Sequence, residues 1–279
     1  MKSILITGGT GSFGQAFTRR LLDDGAADRI AVLSRGEYAQ AEMAAALDDG
    51  RMRYFVGDVR DRDRLRRAFD GVDVVVHAAA LKRIEVGQYN PEEMVKTNVL
   101  GAMNVIEAAI DAGVEKVVAL SSDKAFEPIS PYGQSKALAE TLFRNANNTV
   151  GRDGPQFIVT RYGNVAGSRG SVIPRWRELM RAGAKAVPVS DPDCTRFWMR
   201  MDEAVQLVLE AIDCGGRDII IPTLPAYRLG DLAKVMGAEM DVRGLPAWEK
   251  KHEGMAPGNT SDVARRMGLN ELETALMRV

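Results

Sequence analysis

The stretch Ser3–Gly14 reads SILITGGTGSFG and decides the fold. It opens with an apolar run of the kind that forms a buried parallel strand, and Phe13–Leu22 has the composition of a helix. Between them, Gly8, Gly11 and Gly14 follow the spacing G-x-x-G-x-x-G. Such glycines permit a tight turn, close approach of the backbone to a pyrophosphate, and close packing of helix on strand. With free N–H groups at the helix N-terminus, the stretch predicts a dinucleotide-binding turn.

Beyond this stretch, short apolar runs alternate with amphipathic segments as far as residue 161. The runs are apolar on both faces, which is typical of a parallel sheet covered by helices on both sides. We therefore predict an α/β fold with a Rossmann-type, doubly wound parallel sheet. The further predicted strands are Ile30–Ser34, Met52–Val56, Val72–His77, Lys116–Leu120 and Phe157–Arg161, and the predicted helices are Glu37–Leu47, Arg64–Phe69, Pro91–Ala112 and Tyr132–Asn145.

The alternation ends after Tyr162, where proline and glycine become more frequent. Helices are predicted at Val172–Ala182 and Asp202–Asp213, and short strands near Ile219–Ile221 and Tyr227–Leu229. We expect residues 1–162 to form the dinucleotide-binding domain. Residues 163–279 would form a smaller C-terminal α/β lobe that binds substrate, with the chain free to cross back between the two.

Composition and charge argue against several classes of partner. The chain has 279 residues, 46% of them hydrophobic, and a formal net charge of −1. Because there is no basic excess, we expect neither nucleic acid nor a membrane surface as a partner. The chain opens on a strand rather than a signal peptide, and it lacks an apolar run of about 18 residues. Cys194 and Cys214 form no disulfide or CxxC pattern, which predicts reduced thiols in a cytoplasmic protein. The two histidines lie far apart in the sequence and there is no Cys/His cluster, so we expect no catalytic metal.

The segment after the second strand bears on the choice of cofactor. NAD enzymes usually place an acidic residue there for the ribose 2′-hydroxyl, whereas this chain has Ser34 and Arg35. A cation beside a hydroxyl suits a 2′-phosphate, so we expect NADP, although Glu37 keeps NAD open. The expected cofactor contacts are Gly8, Thr10, Gly11, Ser12, Phe13, Gly14, Ser34 and Arg35, then Asp58 and Val59 at the adenine, and Ala78, Ala79 and Ala80 beside the nicotinamide ribose.

A tyrosine and a lysine four residues apart, Tyr132 and Lys136, follow the fifth strand. On a helix they share a face, so the lysine can lower the pKa of the phenol and hold the nicotinamide ribose. The tyrosinate would then take a proton from a substrate hydroxyl while hydride leaves the same carbon. The pair predicts an enzyme, and an NADP-binding sensor without catalysis is the alternative from a different class.

Together, the glycine loop and this Y-x-x-x-K pair resemble the extended short-chain dehydrogenase/reductase family. Four segments narrow the resemblance: residues 120–125 (LSSDKA), 161–165 (RYGNV), 167–174 (GSRGSVIP) and 195–198 (TRFW). They are similar to the soluble, 5-inverting UDP-N-acetylglucosamine 4,6-dehydratases of pseudaminic acid biosynthesis. The resemblance covers nearly the whole chain. It implies a UDP-sugar substrate that is converted to a 4-keto-6-deoxy sugar with inversion at C5.

The residues Ser122, Asp123 and Lys124 stand at the end of the fifth strand, where such sheets place active sites. A 4,6-dehydration needs oxidation at C4 with Tyr132 as base, loss of the C5 proton with protonation of the 6-hydroxyl, and return of hydride to C6. A C4 epimerase or ketoreductase, the enzymatic alternative, needs only tyrosine, lysine and a hydroxyl. By resemblance, Asp123 is the acid and Lys124 the base at C5. The predicted catalytic residues are Ser122, Asp123, Lys124, Tyr132 and Lys136.

Further positions follow from the resemblance alone. Asn98 corresponds to an asparagine that braces the catalytic region, and Lys82 would line the site on both the cofactor and the sugar side. The expected substrate contacts are Lys82, Asn164, Arg169, Ser171, Val172, Arg196, His252 and Glu253, the last two near the uridine. Arg196 suits an interdomain salt bridge almost as well. The family commonly pairs through its long helices, which implies a homo-oligomer.

Two segments depart from the family pattern. Residues 82–85 read KRIE where the family is close to K-H-V-P, and residues 245–248 read LPAW where the family has R-P-G. Both lie near the expected sugar and nucleotide positions. The sugar and the nucleotide are therefore less determined by the sequence than the chemistry.

Overall fold

A parallel sheet forms the core of the larger lobe. The computed structural model describes residues 1–151, 153–214 and 218–279. Their strands are β1 Ser3–Thr7, β2 Arg29–Ser34, β3 Met52–Val56, β4 Val74–His77, β5 Lys116–Leu120, β6 Gln156–Thr160, β7 Ala186–Val189, β8 Thr195–Phe197, β9 Ile219–Ile220, β10 Ala226–Arg228, β11 Glu239–Val242, β12 Gly254–Ala256 and β13 Asn259–Thr260. The strands predicted as far as residue 161 are confirmed, with ends displaced by at most two residues.

Seven strands pair in the order β3-β2-β1-β4-β5-β6-β9, and each pairing is parallel. This confirms the predicted doubly wound sheet. The chain moves outward from β1 to β3 and then returns to β4 on the other side. The strand order therefore reverses between β1 and β4, and the crevice at their carboxyl ends is where such sheets bind ligands.

Helices cover both faces of this sheet. They are α1 Ser12–Asp23, α2 Glu37–Leu47, α3 Arg62–Phe69, α4 Ile84–Tyr89, α5 Pro91–Met94, α6 Gly101–Ala112, α7 Pro131–Ala146, α8 Val172–Arg181, α9 Met201–Cys214, α10 Leu229–Val235 and α11 Leu269–Leu276. Alternate residues of β1 enter different apolar clusters, Ile4 and Ile6 on one face and Leu5 on the other. No helix within the described ranges has the length and apolarity needed to cross a membrane.

The predicted helix Pro91–Ala112 is present but is not uniformly α-helical. Between α5 and α6, Val95–Leu100 form a π-helical turn. Such turns are rare and are frequent at functional sites. Here the turn carries Asn98, which is only 2% exposed and is directed towards α7. The apolar periodicity of the segment gives no sign of this local widening.

The C-terminal residues divide their contacts between two lobes. The chain crosses back after β8, because α9 packs on α1 and on β5 and β6, and β9 extends the large sheet beside β6. The smaller lobe is built on three two-stranded sheets, β8 with β10, β7 with β11, and β12 with β13. Trp176 and Tyr227 belong to its separate apolar core. This lobe stands over the carboxyl end of β5, since β12 contacts the turn that follows that strand.

The glycine loop has almost no free volume. Gly8 has φ +68°, and a Cβ there would lie 2.8 Å from the Ala79 Cα. At Gly14, a Cβ would overlap the carbonyl oxygen and Cα of Gly9. The loop is therefore shaped by its glycines at both ends.

Substitution of Gly14 tests this packing. Because the added methyl group meets rigid backbone, we expect Gly14→Ala to lower the free energy of unfolding by about 1–3 kcal/mol in urea denaturation. The control is Gly50→Ala, where nothing lies within 4 Å of the added atom. Equal stability of Gly14→Ala and Gly50→Ala would show that the close packing of the loop is unimportant.

Candidate active site

The glycine loop and the loop after β4 are joined by side chains beneath the crevice. The Thr7 hydroxyl lies 2.8 Å from Nδ1 of His77 and accepts a hydrogen bond from the Ala79 N–H at 3.3 Å. Gly11 N–H donates to the Gly8 carbonyl at 2.9 Å and closes the turn. Burial lowers the pKa of His77 to about 3, so the ring is neutral and acts as a brace between the loops.

The other predicted residues of the glycine loop have separate tasks. The Thr10 carbonyl accepts a hydrogen bond from Gln15 at 3.0 Å, and the Phe13 ring stacks on Phe17 at 5.5 Å. The Ser12 hydroxyl accepts the Arg169 N–H at 3.0 Å. A segment of the second lobe thereby lies directly on the glycine loop. The turn suits a dinucleotide, because its glycines let the backbone pack closely between β1 and α1, and the N-terminus of α1 follows at Ser12.

The residues predicted at the adenine end occupy the ends of β2 and β3. Ser34 is buried, and its hydroxyl accepts a hydrogen bond from Gln40 at 2.9 Å. Arg35 is exposed, with its guanidinium 3.9 Å from the Asp58 carboxylate. Val59 is buried against Gly101, where a Cβ would lie 2.8 Å from the valine side chain. Arg35 is thus the predicted cation that projects beyond the loop, whereas Ser34 belongs to its framework.

Tyr132 and Lys136 lie on the first two turns of α7, which begins at Pro131 after the Ser130 N-cap. Lys136 is buried and donates to the Leu120 carbonyl at 2.6 Å. Burial lowers its pKa to about 8, despite the opposing charge of Glu140. Burial raises the pKa of Tyr132, while the charge of Lys124 and a hydrogen bond with Ser122 act in the opposite direction.

Asn98 links the catalytic helix to the loop after β4. Its amide nitrogen donates to the Leu81 carbonyl and to the Ser135 hydroxyl, both at 2.9 Å, and its oxygen accepts the Leu81 N–H at 2.8 Å. Ser135 lies between Tyr132 and Lys136 in the sequence. The brace that the resemblance implied for Asn98 thus has a specific set of partners.

Asp123 and Lys124 begin a 3₁₀ turn directly after β5. Asp123 is fully buried and accepts hydrogen bonds from Ser122 at 2.8 Å and from the Lys124 amine at 3.0 Å. Burial raises the pKa of Asp123, and the charge of Lys124 opposes this. Burial also disfavours the charged form of Lys124, but the carboxylates of Asp123 and Glu253 outweigh it and raise the pKa of the amine.

The second lobe encloses this pair. The Lys124 amine lies 3.1 Å from the Asn164 Oδ1 and 3.2 Å from the Glu253 Oε1. Tyr227 is buried, and burial raises the pKa of its phenol, while the nearby Arg196, Asn164 and Lys124 act in the opposite direction. The sequence motifs do not single out Tyr227. It reaches the site because β10 pairs with β8, and that pairing between strands about thirty residues apart leaves no short motif.

The remaining predicted substrate residues fall into two groups. Lys82 is exposed, and partial burial together with the nearby charge of Arg169 lowers its pKa. Ser171 precedes α8, and Val172 begins it. Arg196 is buried and faces inward, where it donates to Glu249 at 2.5 Å. His252 is placed by the Thr195 hydroxyl, 2.8 Å from its Nδ1.

The site combines two chemical units on adjacent elements. Tyr132 and Lys136 share one face of α7, an arrangement suited to removing a proton from a hydroxyl. Asp123 and Lys124 form an ion pair next to them, and Lys124 and Ser122 both lie close enough to Tyr132 to lower the pKa of its phenol. Among the described residues, no group of three or more histidine, cysteine, aspartate or glutamate side chains is arranged to hold a metal ion.

Comparison with known proteins finds one matching family and relatives that are similar over most of this chain. The family model described as polysaccharide biosynthesis protein matches residues 4–267. The UDP-N-acetylglucosamine 4,6-dehydratase (inverting) of Campylobacter jejuni is 45% identical over 94% of this chain and 79% of its own length. The UDP-glucose 4-epimerase of Rickettsia conorii is 42% identical over 91% and 77%. The X-ray structure of Pen from Bacillus thuringiensis superposes with a TM-score of 0.94 at 32% identity, covering 99% of this chain and 97% of that one.

Burial of Lys136 predicts a pH dependence of stability. Its pKa is about 8 in the folded chain against 10.5 for the free group. Between these values the unfolded chain binds more protons, so the contribution of Lys136 to the free energy of unfolding rises with pH by up to about 3 kcal/mol. Urea denaturation of wild type and Lys136→Met without cofactor, at pH values of about 7.5, 9 and 10.5, measures this. A difference between the two proteins that stays constant across this range would contradict the lowered pKa.

Proposed function

The chain belongs to the polysaccharide biosynthesis protein family, and from that membership and its site we propose that it is a nucleotide-sugar 4,6-dehydratase. The substrate we propose is UDP-N-acetylglucosamine, converted to a UDP-4-keto-6-deoxy-N-acetylhexosamine with inversion at C5. The observation that carries the proposal is the Asp123–Lys124 ion pair at 3.0 Å, which lies close enough to Tyr132 for the charges of both residues to affect the pKa of its phenol. Hydride transfer alone does not require this acid and base.

NADP is the cofactor that we propose. Its diphosphate would lie on the glycine loop, its 2′-phosphate beside Arg35, and its nicotinamide ribose beside Lys136. The exposed guanidinium of Arg35 is suited to a phosphate because it offers several fixed donors. Residues of this site would hold the nicotinamide where it would supply a hydride acceptor for the sugar C4 and a hydride donor for C6.

Each protein group then has one task. Tyr132 takes the proton of the 4-hydroxyl. Burial raises the pKa of its phenol, and the nearby charge of Lys124 acts against this and favours the ionised form. The resulting ketone acidifies the C5 proton, which Lys124 removes as an amine. Asp123 donates a proton to the departing 6-hydroxyl, a task for which a carboxyl group of raised pKa is suited. A lysine on one ring face and reprotonation from the other accounts for inversion at C5.

The substrate diphosphate has a natural position beside Lys82 and Arg169. These cations stand close enough for the charge of one to lower the pKa of the other, and an anion between them would remove that repulsion. Arg196 is buried and paired with Glu249 inside the lobe, which favours its alternative role in a salt bridge over a contact with the substrate diphosphate. Lys82 belongs to the altered residues 82–85, and the altered residues 245–248 directly precede Glu249, the partner of Arg196. We therefore propose that this chain differs from its relatives in the acyl group or the nucleotide that it binds.

The setting of the enzyme is part of the same proposal. We propose that it acts in the cytoplasm, at the start of pseudaminic acid synthesis, where a UDP-N-acetylglucosamine 4,6-dehydratase (inverting) such as the C. jejuni relative would fit. We also propose a homo-oligomer that pairs through α5–α6 and α7. Exposed apolar side chains on these helices support it, namely Val95, Leu100, Met103, Ile110 and Leu138.

Asparagine at position 123 distinguishes a dehydratase from an epimerase. Asp123→Asn keeps the shape of the side chain but removes the acid, so we expect loss of a product one water lighter than UDP-N-acetylglucosamine by at least about 100-fold. Mass spectrometry of the sugar nucleotides measures this. Asp262→Asn, a change in an exposed carboxylate of the second lobe, is the matched control and should leave turnover intact. Turnover of Asp123→Asn at the wild-type rate would favour the epimerase or ketoreductase.

Arg35 provides the test of cofactor choice. If its guanidinium binds the 2′-phosphate, Arg35→Ala weakens NADP binding by about 10- to 100-fold and leaves NAD binding unchanged. Calorimetric titration with each dinucleotide measures both affinities. Arg62→Ala, on the exposed face of α3, should change neither. Equal losses for NADP and NAD would contradict a role at the 2′-phosphate.

A further inference from the structure

We infer that Glu253 is a positioning residue that keeps a single proton on the Asp123–Lys124 pair and fixes the Lys124 amine beside Asp123. The inference rests on the dehydratase proposed above and assigns Glu253 to the elimination step. The resemblance had suggested only a position near the uridine. In the structure, Glu253 is 2% exposed and its carboxylate is directed at Lys124.

The Lys124 amine is held by three acceptors. They are the Asp123 Oδ1 at 3.0 Å, the Asn164 Oδ1 at 3.1 Å and the Glu253 Oε1 at 3.2 Å. An ammonium group has three N–H donors, so these partners satisfy it completely. Glu253 therefore fixes both the position of the nitrogen and its charge.

The backbone around Glu253 is fastened on both sides. Its N–H donates to the Ser261 hydroxyl at 2.9 Å, and its carbonyl accepts the Ser261 N–H at 2.7 Å. The Ser261 hydroxyl in turn lies 2.6 Å from that of Thr195 in β8. Gly254 follows, and a Cβ there would lie 2.7 Å from the Phe126 ring, just after the catalytic turn. The glycine allows the segment to lie against that turn and bring Glu253 into the site.

Two buried carboxylate oxygens of this cluster have no hydrogen-bond partner, Oδ2 of Asp123 and Oε2 of Glu253. The Lys124 amine thus lies between two carboxylates, and Glu253 has two further cations, Arg196 and Lys250, at 3.9 Å. Burial alone would raise the pKa of Glu253, but these three cations outweigh it and lower the pKa, so Glu253 carries the negative charge. The negative charge of Glu253 raises the pKa of Asp123 in addition to the larger effect of burial. The ionisable groups that face the cluster from every packed element are Tyr132 of α7, Arg196 of β8, Tyr227 of β10 and Lys250 before β12, with Glu127 beside Lys250.

A single proton on the pair is what the elimination requires. It moves from the Lys124 amine to Asp123 along their hydrogen bond and leaves a neutral amine and a carboxylic acid. The amine takes the C5 proton, and the C5–H electrons form the C5–C6 double bond. The C6–O bond breaks, and the Asp123 proton leaves with the oxygen as water. The pair ends as ammonium and carboxylate, the state in which it began.

A pair without a proton lacks the acid, and a pair with two protons lacks the base. Because Glu253 is negative and adjacent, it opposes loss of the single proton as the pH rises. Its contribution is therefore largest at the alkaline end of the pH range. Coupled groups of this kind titrate as a unit, so the effect is expected in the pH profile of the pair.

The test is the pH profile of kcat for wild type and Glu253→Gln on UDP-N-acetylglucosamine. We expect the alkaline limb of Glu253→Gln to move to lower pH by about one unit or more, with KM changed less than about threefold. Glu249→Gln is the matched control, since Glu249 contacts Arg196 but not the pair, and its limb should not move. Glu253→Asp keeps the charge and should keep the limb near its wild-type position.

The outcomes separate the inference from the proposed function. An alkaline limb of Glu253→Gln at the wild-type position, or a raised KM with an unchanged profile, would overturn the inference and favour a nucleotide contact. If thermal unfolding shows that Glu253→Gln does not fold, the pH profile of Glu253→Asp tests the inference instead. A limb at the wild-type position then supports the role of charge, and a limb displaced by about one unit or more contradicts it. A wild-type protein inactive on UDP-hexoses would instead refute the dehydratase.

Discussion

The ion pair between Asp123 and Lys124 is the interaction on which the active site depends. Both groups are held in protein interior, where an unpaired charge costs several kcal/mol. The pair is stable there because it is enclosed by further polar groups, Ser122 on one side and Asn164 and Glu253 on the other. The second lobe therefore closes the site sterically and also supplies the charges that make the buried pair tolerable.

This dependence explains how the two lobes are joined. The segment around Glu253 lies over the turn after β5, and the Arg169 backbone binds Ser12 on the glycine loop. Arg161, at the end of β6, forms a buried ion pair with Glu140 of α7 and donates to the Met255 carbonyl at 2.6 Å. Contacts of this kind fix the sugar side of the site relative to the cofactor side. The position of Lys136 beside Tyr132 lowers the stability of the fold, because a buried amine of lowered pKa decreases the free energy of unfolding at neutral pH.

Much of this arrangement is readable from the sequence, because the first half of the chain follows local rules. The strands are short apolar runs, the glycine spacing is specific to one turn, and Tyr132 and Lys136 share a helical face. The position of Asp123 and Lys124 at the end of β5 also follows from the local sequence. What the sequence could not show depends on distant pairing. Glu253 reaches Lys124 only because Ser261 and Thr195 hold its backbone, and Asn98 acquires its direction from a π-helical turn that periodicity does not reveal.

The central claim is that elimination across C5 and C6 takes place at the Asp123–Lys124 pair. The most direct measurement is the NMR spectrum of the sugar formed from UDP-N-acetylglucosamine by the wild-type enzyme in D₂O. Exchange at C5 is obligatory if Lys124 removes that proton, so the account predicts a 4-keto-6-deoxy product that carries deuterium at C5 with inverted configuration. A product epimerised at C4 that retains its original C5 hydrogen and its 6-hydroxyl would contradict it.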